Sequence, residues 1–247
     1  MKSRTHTLIQ TIACALVLLI AVVTAGYFYS HRNDNPRIIS VKGMASRDFS
    51  ADLIIWNSTI HYNTPSPQEG LRIVSQQVES FERFLASYQI PDSTYTFSPI
   101  SYQRNISRDW DEASRRYIET DKGYIISQTI TVTSKDIDKV EQAYRKVGNL
   151  FSEGILVESD APQYYYTRLG ELKLEMLSEA ATDAYNRAAR IAESGQASLG
   201  RLRTSSMGVF QILGRNSNEE FSWGGTYNTS QREKTATITV TSTYLLR

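Results

Sequence analysis

Cysteine is nearly absent: the 247-residue chain has one, Cys14, close to its start. No disulfide can staple the remainder, which must hold together through its own apolar core. Histidine is almost as scarce, with only His31 and His61 beyond residue 29. A zinc site takes three or four ligands, so it would need His61 plus several carboxylates, and neither HExxH nor HxH occurs. The GxSxG elbow of a serine hydrolase, a glycine-rich phosphate loop and a dinucleotide fingerprint are missing as well. No catalytic, cofactor-binding or metal-ligating residue is assigned, and the chain is read as a non-enzyme without a cofactor.

An excess of charge of one sign is also lacking. The chain carries 27 Lys and Arg against 26 Asp and Glu, and setting aside Lys2 and Arg4 leaves 25 against 26. Nucleic-acid binding requires a basic excess, so that class of partner is excluded. Carboxylates do cluster at Asp109, Asp111 and Glu112 and again at Glu219 and Glu220. Both groups sit in hydrophilic stretches where water keeps them ordinary acids, whereas a general acid needs a desolvating pocket.

What the chain does have is one long apolar run. Leu8 to Tyr29 is 22 residues without a charge, behind the basic start MKSRTHT. As a helix it would be about 33 Å long, enough to cross a bilayer's hydrocarbon core. Lys2 and Arg4 then place the N-terminus in the cytoplasm and the rest across the membrane. The expectation is a transmembrane signal anchor at 8–29, with a cytoplasmic start at 1–7 and a tether at 30–37. A signal peptide cut after Ala25, where Val23-Thr24-Ala25 supplies small residues, is the alternative.

Residues 38–247 are expected to form an α+β domain of antiparallel sheet and helices. A brief strand at 38–41 turns at Gly43, and a longer strand spans 49–62. Ser66 caps a helix with Pro67 at its first position and Glu69 completing a capping box. Its apolar stripe is Leu71, Val74, Val78, Phe81, Leu85 and Tyr88. A hairpin pairs 95–102 with 124–133 around a long polar tip. Ser134 caps a short helix that ends at Gly148. A long helix at 167–194 turns Leu169, Leu172, Met176, Ala180, Ala184, Ala188 and Ile191 inward, and strands at 201–213 and 235–244 follow.

The hexapeptide TITVTS occurs at 129–134 and again at 237–242, 108 residues apart. Arg104-Asn105 and Arg215-Asn216, both expected in hairpin tips, are 111 apart. A duplicated βαββ unit, at about 49–134 and 153–244, explains the offset and the order together. The two tips also place aromatics among polar residues, namely Trp110 in one and Phe221, Trp223 and Tyr227 in the other. Such residue types anchor protein interfaces, so these four are the candidate interaction residues.

The opening Ile39-Ser40-Val41-Lys42-Gly43 and the helix from Glu179 to Ala192, leading into Leu199-Gly200, resemble the SIMPL-domain family over roughly 37–247. The family places a second glycine and a Pro-Asp pair where this chain has Ala45 and Ala51-Asp52. The resemblance implies an envelope protein of Gram-negative bacteria, periplasmic or attached to the inner membrane, in a family without established catalytic residues. Some relatives are linked to oxidative-stress tolerance, and at least one assembles into a ring-like oligomer. The expected role is therefore assembly or partner binding through homo-oligomerisation, with membrane attachment by the N-terminal helix. A periplasmic small-molecule binding module is the alternative.

Overall fold

Alternating apolar residues and one long capped helix build the first sheet. The computed structural model describes the backbone of residues 2–31 and 37–247, with side chains for 15–30 and 37–247. Strands β1 (Ile38–Ser50) and β2 (Leu53–Thr64) precede helix α2 (Pro67–Ser87). Strands β3 (Tyr95–Phe97), β4 (Ser101–Asp111) and β5 (Arg116–Ser134) lead to helix α3 (Ile137–Lys146). Strands β6 (Val157–Ser159) and β7 (Gln163–Tyr165) come before helix α4 (Leu169–Ser194), and β8 (Leu199–Met207), β9 (Gln211–Gly214) and β10 (Glu233–Leu246) complete the chain. One sheet has the order β3-β5-β2-β6, with β4 on β5 and β7 on β2; the other has the order β1-β10-β8, with β9 on β10.

The apolar run is helical, as α1 (Lys2–His31). The expected transmembrane anchor is nevertheless overturned: among the described residues, no helix is long and apolar enough to cross a membrane. Thr24 and Ser30 add hydroxyls in α1, donating to Ile20 O and Tyr27 O at 2.8 and 3.0 Å. Tyr29 lies in α1, while the side chain of Leu8 and most of the expected tether at 30–37 fall outside the described residues.

The chain divides into two compact units. The larger comprises Met44–Asp183 and Met207–Val240. Its main core joins Ile54, Trp56 and Ile60 of β2 to Val74, Phe81 and Leu85 of α2 and to Ile126, Ile130 and Val132 of β5. Trp56 is fully buried, 5.9 Å from Phe81 and 6.0 Å from Tyr144 between ring centroids, and its indole donates to Ser159 Oγ at 2.9 Å. A second core in the same unit gathers Ala45, Leu172, Met176, Ala180, Ile212, Ala236, Ile238 and Val240. The smaller unit holds Met1–Gly43, Ala184–Ser206 and Thr241–Arg247, and its core is Val41, Ala184, Ala188 and Tyr244.

Several local expectations change. Strand β1 runs straight through Gly43 instead of turning there, and the break falls at Ala51-Asp52. Ala51 N donates to Arg232 O at 2.9 Å, and Asp52 accepts from Thr167 N at 2.7 Å, so this corner is tied down by bonds instead of by a proline. Ser66 occupies the N-cap of α2 and Pro67 its first turn, but Ser66 makes no side-chain cap bond. Asp136, not Ser134, caps α3 by accepting from Lys139 N. That helix passes into a short 3-10 stretch closed by Gly154 at φ 78°. Leu71 and Ile191 are exposed, not inward. The two TITVTS copies share one burial pattern, with Ile130, Val132 and Ser134 buried in β5 and Ile238, Val240 and Ser242 buried in β10.

Candidate interaction surface

The loop from 215 to 232 between β9 and β10 is long, yet it is held by buried polar groups. Lys234, at the start of β10, is 0% exposed; its Nζ donates to Asn228 O at 2.5 Å and lies 5.8 Å from the Tyr227 ring centroid. Burial lowers its pKa to about 8, with Glu219 opposing the shift. Asn228 Nδ2 in turn donates to Glu219 Oε1 at 2.5 Å, and Gly214 N donates to Glu219 Oε2 at 3.0 Å. Those donors, the backbone N–H of Gly214 first, hold the Glu219 carboxyl below its usual range. Gln211 Nε2 donates to Ser222 O at 2.5 Å, while Ile212 N donates to Thr226 O and Asn228 N to Ile212 O at 2.7 and 2.9 Å. A loop with this many internal partners is fixed in shape.

On that support Trp223 is 98% exposed and Phe221 is 67% exposed. Gly225, at φ 92°, supplies the turn between them and Tyr227, a conformation that side-chain-bearing residues rarely adopt. Tyr227 goes the other way. Its hydroxyl accepts from Tyr166 N at 3.1 Å and its ring lies 6.2 Å from Tyr165. Of the three aromatics expected in this tip, two face water and one ties the loop to its own unit.

The first tip is not a loop. Strands β4 and β5 keep pairing from Ser101–Ser127 to Asp111–Arg116, with a bulge between Arg104 and Ile106, so the stretch expected to be a polar tip is a two-stranded ribbon. Only residues 112–115 turn, with Arg115 at φ 49°. One face carries a ladder of cross-strand pairs: Arg104 with Asp121 at 2.7 Å, Arg108 with Glu119 at 2.5 Å, and Trp110 edge-on to Tyr117 at 5.2 Å. Such pairs stabilise a ribbon that has little core to bury. Trp110 is 53% exposed and belongs to this ladder. Among the described residues no ring pair links it to the Phe221–Tyr227 loop, so the structure does not bring the four candidates together.

Other features resolve into structural roles. His61 lies in β2 with Nδ1 3.9 Å from Glu158, and no group of three metal-ligating side chains occurs among the described residues. The hydroxyl of Tyr164 donates to Glu141 at 3.0 Å, and burial, then this bond, pushes its pKa up to about 12. Glu219, expected from sequence to be an ordinary solvated acid, is instead held by Gly214 N and Asn228 Nδ2, and Lys234 was not singled out. A lysine at an inward position of an alternating strand, between Glu233 and Thr235, was the one available signal.

A search of curated proteins finds no match to this chain. The family profile described as SIMPL, protein of unknown function (DUF541), matches residues 39–244. The chain belongs to the SIMPL family.

Proposed function

We propose that this protein is a binding module of the cell envelope that works by associating with further copies of itself through the Phe221–Trp223 loop. The observation that carries this reading is Trp223, 98% exposed on a loop pinned by a buried lysine. A large aromatic held in water on a preformed support has little ordering entropy left to lose on binding, and tryptophan is prominent among interface anchors. The β4–β5 ribbon, with Trp110 and Tyr117 on one face, offers a second contact of the same chemistry. Export to the periplasm, with the leader removed behind Ala25, is part of this reading and rests on the basic start and the apolar run.

Light scattering on the purified protein tests it. The wild type is expected to have a mass above one chain, and F221A/W223A is expected to fall toward one chain with unchanged circular dichroism. A wild type that stays monomeric at high concentration overturns self-association. Mass spectrometry of the N-terminus tests the cleavage. A small-molecule role ranks second, because the apolar groove at Pro67, Leu71, Ile100, Tyr102 and Ile126 has a volume of only about 170 Å³, below the usual size of ligand pockets.

A further inference from the structure

Leu71 belongs to the apolar stripe of α2 and yet is 47% exposed. It borders a groove that neither the core nor the Trp223 loop accounts for. Gly70 lets the first turns of α2 lie close against β5, since a Cβ at that position would come 2.5 Å from Ile126 Cγ1. Ile126 is the cross-strand partner of Tyr102, so the two side chains share one face of the sheet. Between that face and the helix lies an open groove of about 170 Å³, lined by Pro67, Gln68, Leu71, Ile100, Tyr102 and Ile126. All of it belongs to the larger unit, as does the Trp223 loop.

The groove is small for a ligand but not for one aromatic ring: an apolar cavity of about 150 Å³ takes benzene. Pro67, Leu71, Ile100 and Ile126 make its walls apolar, while Gln68 and the Tyr102 hydroxyl bring hydrogen-bond acceptors. An indole has the same division, one N–H on an otherwise apolar ring system, and that N–H needs a partner when buried. A phenyl ring would use neither acceptor. The indole of Trp223 does not fill the groove of its own copy, because it stands in water. Charge points the same way. Arg72 follows Gln68 by four residues on the same side of α2; it bonds Gln76 and, among the described residues, joins no ion pair. Glu69 lies about 160° round the helix from Leu71 and leaves Arg72 the nearer charge. Glu220, three residues before Trp223, is exposed and likewise in no ion pair among the described residues.

We propose that the Trp223 indole of one copy seats in the Pro67–Leu71–Tyr102 groove of another, with Glu220 beside Arg72. This contact rests on the self-association reading and names the surface that receives the loop. Plug and socket are different surfaces, so each can be disabled in a different chain. Light scattering on W223A and L71E, alone and mixed in equal amounts, tests it. At a concentration where the wild type associates, each variant alone is expected to fall to one chain, since losing a buried anchor weakens a contact at least about thirtyfold. The mixture is expected to regain particles of two chains, because L71E brings an intact Trp223 and W223A an intact groove. Both positions are exposed, so both variants are expected to keep the wild-type thermal midpoint. R72E and E220R are each expected to weaken association, and R72E/E220R to associate more tightly than either.

If L71E associates like wild type while W223A does not, the loop meets some other surface: the groove falls as its socket and self-association stands. A monomeric wild type overturns both. Variants that remain single chains when mixed overturn the groove as the receiving surface, as does an R72E/E220R protein in which the two losses add. Should L71E lower the thermal midpoint, I100S, which opens the opposite wall at a partly exposed position, takes its place in the mixture.

Discussion

Replacing Lys234 with methionine removes a charge from the interior and a donor from the Phe221–Trp223 loop, and the two effects separate with pH. Burial takes the amine from an ordinary 10.5 to about 8. At about 1.36 kcal/mol per unit, keeping it protonated costs the fold about 3 kcal/mol. Because the folded value lies below the unfolded one, the unfolded chain holds the extra proton between pH 8 and pH 10.5, and wild-type stability rises with pH across that window. K234M has no such group. It leaves Asn228 O without the donor now 2.5 Å away, a loss of about 1–3 kcal/mol for a buried carbonyl. At pH 7 the relief matches or exceeds the loss, leaving K234M up to about 2 kcal/mol the more stable, and the wild type gains about 3 kcal/mol on K234M by pH 10.5. Urea unfolding of both proteins, followed by tryptophan fluorescence from pH 7 to 10.5, measures the difference. Glu219 faces the amine and stays ionised throughout; repeating the pair in a Tyr227→Phe background removes the hydroxyl of the ring 5.8 Å from Nζ. A stability difference that stays constant across the window refutes the buried, charge-penalised lysine.

The F221A/W223A substitution is expected to remove self-association without lowering the thermal midpoint, since both side chains are exposed; a lowered midpoint would mean that the pair belongs to the core. Gly123→Ala is expected to destabilise by about 1–3 kcal/mol or more, because Gly123 has φ +91° and an added Cβ would lie 2.4 Å from Thr64 O. A neutral result in chemical denaturation would deny that the root of the ribbon is fixed at that residue. Trp56→Ala is expected to cost about 3–5 kcal/mol, since Trp56 is fully buried among Phe81, Tyr144 and Ser159.

Positions that bury a side chain were legible from sequence. The alternation in β5 and β10 and the spacing of α2 and α4 follow from period 2 and period 3.6, which burial enforces. Val74, Val78, Phe81 and Leu85 lie inward as the stripe requires. Ile191 does not, because Ala188 and Ala192 already carry the inward line and the residue next to Ala192 is turned away. The continuation of β4 and β5 was not legible. Arg104 to Asp111 buries little, so no hydrophobic period marks it, and its pairing is specified by cross-strand partners that a single strand does not reveal. The membrane expectation failed differently: apolar composition licenses a crossing but does not establish one.

The candidate sites share this property. The Trp223 loop and the ribbon both lie where apolar patterning is weak, so they had to be read from residue type alone. Residue type singled out Trp223 and Tyr227 alike, although the first faces water and the second faces its own unit, four residues apart in one tip. What separates them is the backbone N–H of Tyr166, which gives the Tyr227 hydroxyl a partner within its own unit. Trp223 has only a ring and an N–H pointed at water. Lys234 sharpens the contrast: a charged residue at an inward strand position conflicts with local preference, and the loop it organises is the one that presents Phe221 and Trp223. Local conflict of that kind is expected where a chain gives up stability for a fixed surface. If the conflict serves that purpose, K234M should weaken self-association at neutral pH, where it is expected to be no less stable than the wild type, and an unchanged mass in light scattering would leave Lys234 with a purely internal role.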